Sequence, residues 1–296
     1  MLISSCTRPV MSYKSHFDCI GDFAGAGFDC IDLSLFDMEK GNDSIFLKDN
    51  WLDYAKSLKA QAHRLGIFYN QAHAPYKMDM KKYLQDENAH RDISLRLTRA
   101  IEVAAAVGAE FIVVHPIHFW EYSTFPRDKG FQINKEFYLE LAKTAKKCGI
   151  KIAIENMWER DKKTGKITYS VCSDAHELAY YIDELNKYED CFVACLDIGH
   201  CVLVGQNVAD AVSILGNRLS ALHIHDNEFK KDRHTLPTLG KIDYAVVMNS
   251  LKENNYSGVF TLESHGFISN FEPSFHNEAL AFAAKVARYL VDSVNL

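Results

Sequence analysis

Between Ala221 and His234 the chain reads Ala-Leu-His-Ile-His-Asp-Asn and, three residues later, Lys-Asp-Arg-His. An apolar run ends in two histidines, a carboxylate and an amide, and an Asp and another His follow. The first part reads as a buried strand whose last residues emerge into a site. The second reads as a loop folding back over it. Other apolar runs end the same way: at His73, at His115 after Phe-Ile-Val-Val, and at Glu155-Asn156 after Ile-Ala-Ile. Asp197 closes another, with His200 three residues on, and Glu263 closes the last after Phe-Thr-Leu. Each of these side-chain types is a metal ligand. In isolation such a His is usually a hydrogen-bonded loop residue, and such a carboxylate caps a helix. Here the signal is the coincidence. Buried carboxylates need compensation, and three of them converging on one place would repel one another. A divalent cation is the simplest remedy. Mixed imidazole and carboxylate ligands suit Mn2+ or Zn2+, with Fe2+ or Co2+ as alternatives, better than Ca2+.

The elements that must position these groups follow a repeating pattern. Short runs rich in β-branched residues or Phe predict strands over 2–6, 30–35, 67–72, 111–115, 150–156, 192–197, 219–223 and 259–263. Helical periodicity fills the gaps over 49–65, 87–107, 134–148, 208–215, 243–254 and 274–291. Gly66, Gly108, Gly149 and Gly216 supply stop signals. Asp174-Ala-His-Glu177 predicts a capping box opening a further helix. Strand then helix, repeated through the chain, predicts a single-domain (β/α)8 TIM barrel over residues 1–296, with the active site at the C-terminal ends of the strands. The competing architecture is an open doubly wound sheet. It normally carries a Gly-rich turn after the first strand, and Ser4-Ser-Cys-Thr-Arg-Pro9 is nothing like one.

Composition narrows the partners. A hydrophobic fraction of 48% allows a large core. A net charge of −6 with dispersed Lys and Arg argues against nucleic acid as the main partner. The N-terminus lacks a signal-peptide pattern, and no apolar run approaches the ~20 residues of a membrane span. The eight cysteines form no C-x-x-C pair, which fits free thiols in a reducing, cytoplasmic setting.

Ile152-Ala-Ile-Glu-Asn156, Leu196-Asp-Ile-Gly-His200, Leu222-His-Ile-His-Asp-Asn227 and Thr261-Leu-Glu263 together resemble the xylose isomerase-like TIM-barrel superfamily of sugar and sugar-phosphate isomerases and epimerases, inosose dehydratases and endonuclease IV. The resemblance to the ketose 3-epimerase branch implies a metal on Glu155, Asp197, His223 and Glu263, with His200 touching substrate. It sets His225 aside as a pocket-wall or supporting residue. The resemblance to endonuclease IV implies further metal ligands at His73, His115, His200, Asp232 and His234. Departures stand beside these matches. Leu2–Pro9 is unlike the repair enzyme's N-terminal strand, and Asn156-Met-Trp-Glu-Arg160 is unlike the epimerases' loop.

The expected function is therefore a metal-dependent sugar, or sugar phosphate, isomerase or epimerase. Glu155 and Glu263 are the expected proton-transfer residues, and His115, His200, Trp158 and Asp226 the expected substrate contacts. The aromatics of 118–122 and Phe267 are further candidates for the mouth, and Arg127, Arg160 and Arg233 are candidate phosphate contacts. Three alternatives stand: an inosose-type dehydratase or lyase, an endonuclease IV-like zinc phosphodiesterase acting on abasic DNA, and a non-catalytic ligand-binding barrel. The expected partner is a small carbohydrate, with no membrane, and the resemblance implies a homo-oligomer.

Overall fold

The computed structural model describes residues 1–11 and 13–294. Eight parallel strands follow one another in chain order: β1 (Ile3–Cys6), β2 (Cys30–Ser34), β3 (Phe68–His73), β4 (Phe111–Val114), β5 (Lys151–Glu155), β6 (Phe192–Asp197), β7 (Leu219–His223) and β8 (Phe260–Leu262). β8 also pairs with β1. Between β7 and β8 the seam is a single bridge at Ile224. Its amide donates to the Thr261 carbonyl at 2.9 Å, and its carbonyl accepts from the Glu263 amide at 2.8 Å. With helices between the strands this is a nearly closed (β/α)8 barrel, as expected.

The two-residue period of a strand explains why the site forms. Ile112, Val114, Ile152, Ile154, Ala194, Leu196, Leu222, Phe260 and Leu262 all pack in the layer shared with the helices. The intervening Val113, Ala153, Val193, Cys195 and Ala221 form a separate small cluster inside the barrel. His115, Glu155, Asp197 and His223 share the inward parity of that cluster, and Glu263 shares the inward parity of Thr261. The strand-end candidate ligands thus converge because each stands an even number of residues from an inward neighbour.

Under the other side of the barrel the interior is polar. Ser4 Oγ donates to Asn70 Oδ1 at 2.7 Å, and Asn70 Nδ2 to Thr261 Oγ1 at 3.2 Å. Thr261 Oγ1 donates to Gln71 Oε1, and Gln71 Nε2 to Asp32 Oδ2, each at 3.3 Å.

Helix positions agree with the periodicity, with shifted ends. Glu87–Val107 is as expected, held by Asp86, whose carboxylate accepts from the Ala89 amide, and by Gly108 at φ 92°. The helix expected over 49–65 is Trp51–Arg64, and that over 274–291 is His276–Ser293 after a short turn at Pro273–Phe275. Arg127–Cys148 begins two turns before the expected 134, directly after Pro126. His16–Ala26, Ile198–Leu203 and a small hairpin (Trp158–Arg160 with Ile167–Tyr169) are additional. The capping box at 174–177 is half formed. Asp174 accepts from the His176 amide at 2.8 Å, but Glu177 turns away to accept from Tyr122 Oη at 2.6 Å and the Cys172 amide at 2.8 Å. Seven of the eight cysteines are buried and Cys148 half-buried, all of them unpaired. Among the described residues no helix is long and apolar enough to cross a membrane.

Candidate metal centre at the barrel mouth

Glu155, at the end of β5, is the hub. It is 1% exposed. His223 Nδ1 lies 2.7 Å from Oε1 and His115 Nε2 lies 2.7 Å from Oε2. His73 Nε2 stands 3.7 Å from Oε2 and 3.1 Å from His115 Nε2. Despite these neighbours, Glu155 Oε2 has no aligned hydrogen bond. Glu263 Oε2 comes to 3.6 Å of His223 Nδ1. Asp197 completes the ring, and ligand atoms of Glu155, Asp197, His223 and Glu263 all lie within 4.8 Å of one another. His73, His115 and Glu155 form a second such group, and His200, His225, Asp232 and His234 a third.

Backbone contacts fix which ring nitrogens face the centre. Nδ1 of His73 meets the Ala74 carbonyl at 2.8 Å, that of His200 meets Asn156 O at 2.9 Å, and that of His234 meets Glu263 O at 3.0 Å. With Nδ1 donating to a carbonyl, each neutral ring presents a bare Nε2 inward, the usual preparation of an imidazole ligand. Asp232 Oδ2 sits 2.9 Å from His234 Nε2 and 3.4 Å from His200 Nε2, while its buried Oδ1 makes no hydrogen bond and lies 3.6 Å from His225 Nε2.

The loop carrying Asp232 and His234 folds back over the site, as the sequence suggests. Asp226 and Thr235 form a backbone bridge, with N···O distances of 2.9 and 3.2 Å. His234 adopts φ 44°, an uncommon conformation for a side-chain-bearing residue. Its ring stacks on His225 at 3.9 Å between centroids. His225 Nε2 in turn meets Asp197 Oδ1 at 3.0 Å. Gly199 makes room for that ring, since a Cβ there would fall 1.9 Å from His225 Cε1.

The electrostatics follow from crowding opposite charges out of water. Burial raises the Glu155 carboxyl, but His223 and His115 together outweigh it and hold the group well below the usual range. Asp197 is lowered too, His200 and His225 overcoming burial. Asp232 lies far below the carboxylate range, burial being outweighed by His234 and His200. On the other side, burial depresses His200, yet Asp197 and Asp232 lift it well above the ordinary imidazole value. His223 is lifted likewise by Cys195, Glu155 and Glu263, and His234 by Glu263 and Asp232. His115 goes the other way, to about 4, because burial dominates. Without a cation the site is a buried array of carboxylates and imidazolium groups.

Residues 21–285 match the family described as the xylose isomerase-like TIM barrel. The chain belongs to this family. An uncharacterized protein of Methanocaldococcus jannaschii is 29% identical over a match covering 65% of this chain and 63% of that protein. The inosose dehydratase of Clostridium perfringens is 24% identical, covering 75% of this chain and 73% of the enzyme. Among solved structures, a D-tagatose 3-epimerase-like protein superposes with a TM-score of 0.76 at 21% identity, covering 100% of this chain and 98% of the other. That likeness speaks for the fold.

In this xylose isomerase-like barrel a cavity of about 250 Å3 opens on the centre, lined by His73, His115, Glu155, His200, Asp232 and Glu263 together with Trp158 and Met157. Three expected contacts, His115, His200 and Trp158, are therefore at the mouth, and His118 lines it beside them. Asp226 is not. It is fully buried, and its carboxylate accepts from the backbone amides of Asn227 (2.8 Å), Thr238 (3.0 Å) and Ile242 (3.1 Å). It pins the loop that returns Asp232 and His234, rather than reaching the cavity. The candidate phosphate contacts also lie elsewhere. Arg127 stacks on Tyr122, Arg160 donates to the Gly165 carbonyl, and Arg233 pairs with Glu228 at 3.1 Å. Phe267 packs on Phe271.

Among the site residues without a signal in the strand-end pattern, Arg8 and Asp32 carry charge. Arg8, just after β1, lines the cavity. Asp32, mid-β2 and fully buried, lies behind the His223 ring: its Oδ2 is 3.8 Å from His223 Nε2, and neither His223 Nε2 nor Asp32 Oδ1 makes a hydrogen bond. Burial raises the Asp32 carboxyl. A carboxylate inside the apolar run Cys30-Ile-Asp-Leu was the available signal.

Proposed function

We propose that the chain is a divalent-metal-dependent isomerase or epimerase of carbohydrates, with Glu155 and Glu263 transferring the proton beside a carbonyl. The observation that carries this reading is the convergence of Glu155, Asp197, His223 and Glu263, with both glutamates against the same His223 ring nitrogen. The donor set fits a cation. It mixes nitrogen and oxygen, it is buried, and Glu155 Oε2 lacks an aligned hydrogen bond. A divalent ion bound by these four residues would polarise a sugar carbonyl and acidify the neighbouring C–H. One glutamate then takes the proton from carbon. The other, carrying a proton at the start, delivers that proton from the opposite face, giving the epimer, whereas return of the abstracted proton to the adjacent carbon would give the isomer. His200 and His115 line the cavity where sugar hydroxyls would lie, and Trp158 would cover the chain. Relatives named as an inosose dehydratase and a 3-epimerase-like protein support chemistry that begins with such a proton. A dehydratase would share the abstraction and then expel a β-hydroxyl.

The test is solvent-hydrogen exchange. Incubation of the metal-replete protein with ketoses in D2O should place deuterium on the carbon beside the carbonyl. A panel of ketoses and inososes that stays unlabelled and unconverted would refute the reading.

A second reading has its own observation. The groups His73–His115–Glu155 and His200–His225–Asp232–His234 offer two more candidate sites around the same hub, the arrangement expected of a multinuclear phosphodiesterase. With those sites filled, Glu155 would be locked as a bridging ligand and unable to act as a base. Cleavage of a duplex containing an abasic site, at low salt, would favour this reading over the first.

A further inference from the structure

Arg8 lines the same cavity as Glu155 and Glu263, and it also lines an adjoining hollow of about 270 Å3 that contains Lys77. It stands at the neck between the two. Its backbone amide donates to Ser34 Oγ at 3.1 Å, tying the residue to the end of β2. Its guanidinium carbon lies 5.4 Å from the centroid of Phe36 and 6.0 Å from that of Tyr76. Stacking of this kind fixes the plane of the fork while leaving its edge free to donate.

What the fork lacks is an anion. Arg8 makes no ion pair among the described residues, and its polar neighbour is the Tyr76 hydroxyl. The other partly buried arginines are all committed. Arg96 binds Asp92 and the carbonyls of Met38 and Gly41, Arg99 binds Glu102, Arg218 binds Asp183, and Arg288 binds Asp29. The two carboxylates of the adjoining hollow are also engaged: Asp37 accepts from Ser44 Oγ at 2.6 Å, and Glu39 accepts from the amides of Tyr76 and Lys77. Lys77 Nζ lies over the Tyr76 ring at 5.4 Å and adds a second positive charge beside the neck. A planar, oriented guanidinium opening into a cavity without a carboxylate partner is matched to a tetrahedral or planar oxyanion.

We propose that Arg8 receives an anionic group, a phosphate monoester or a carboxylate, carried on the substrate away from its reacting carbons. This rests on the carbohydrate reading and narrows it to acidic sugars. The site's carboxylates repel anions, so the charged end of the ligand is directed to the neck and the neutral carbonyl end to Glu155 and Glu263.

Calorimetric binding to the metal-replete protein tests this with D-fructose, D-fructose 6-phosphate and D-fructuronate. One of the two anions should bind at least about tenfold more tightly than the neutral ketose, and which one wins distinguishes phosphate from carboxylate. Arg8→Gln should reduce that anion-over-neutral ratio by about 10- to 100-fold, the usual effect of losing a charged hydrogen bond. Arg8→Lys should retain part of it. Both variants should keep wild-type metal content, which shows that the site is intact. Equal binding of the three compounds by the wild type, or a ratio unchanged in both variants, would overturn the proposal. Deuterium exchange separates it from the reading beneath it. Arg8-dependent anion binding without exchange into any sugar leaves the subsite standing and removes the epimerase. Exchange into neutral ketoses, indifferent to Arg8, does the reverse.

Discussion

In the proposed reaction the two glutamates are set apart from the other candidate ligands by proton transfer. Glu155→Gln and Glu263→Gln remove a proton acceptor while keeping shape and ligating oxygen, so each should lower solvent exchange by about 100- to 10,000-fold. Full activity in either variant would show that two-glutamate transfer is wrong. Asp32 acts one step further back. A His223 ring that ligates through Nδ1 carries its proton on Nε2, and Asp32 is the acceptor 3.8 Å away. Asp32→Asn should weaken metal binding by about 10- to 100-fold, as loss of such a supporting carboxylate commonly does. A titration giving the wild-type dissociation constant would count against the role. The histidines set the pH dependence. His200, His223 and His234 have raised values in the cation-free protein. Their protonated pairs with carboxylates therefore stabilise that state at low pH and are lost as pH rises through the folded values. A cation competes with those protons, so its affinity should climb over the same range and its binding should acidify a weakly buffered solution. Metal uptake without proton release would contradict this charge arrangement.

At the scale of elements, strand parity does the positioning. It was legible because the inward residues of 111–115, 150–156, 192–197 and 259–263 alternate with large apolar ones. The short helix Ile198–Leu203 was not legible. Asp197 both ends β6 and caps that helix, accepting from the His200 amide at 2.7 Å, and six residues give too little periodicity to read. His16–Ala26 was missed although Ser15 and Gly27 mark its ends. Asp226 shows why a polar residue beside ligands need not join them: its three acceptor bonds go to the backbone of its own loop. Asp226→Ala should leave buried amides unpaired, at about 1–3 kcal/mol each, and release the loop bearing Asp232 and His234. Chemical denaturation should report the lost stability. Metal analysis should report weakened binding at the His200–Asp232–His234 group, with the strand-end group retained. Unchanged stability would mean that the loop is held by other contacts.

At the scale of the molecule, the barrel gathers groups as distant in the chain as His73 and Glu263 around one buried carboxylate. That architecture, and the candidate ligands, were readable from strand-end chemistry repeated along the chain. Arg8 and Asp32 were not, because neither ends an apolar run in the repeating way: one lies in a turn and one in mid-strand. The barrel makes sense of both, since closure brings β1 and β2 alongside β8 and β3. The number of cations this mouth holds decides between a single Lewis-acid centre flanked by two mobile protons and a multinuclear hydrolytic site. The most direct measurement is therefore the metal content of the purified chain, with the coordinating residues located by anomalous diffraction. A divalent transition metal should be found on Glu155, Asp197, His223 and Glu263. A chain that is metal-free after growth in metal-replete medium, and binds no Mn2+, Zn2+, Fe2+ or Co2+ afterwards, would contradict it.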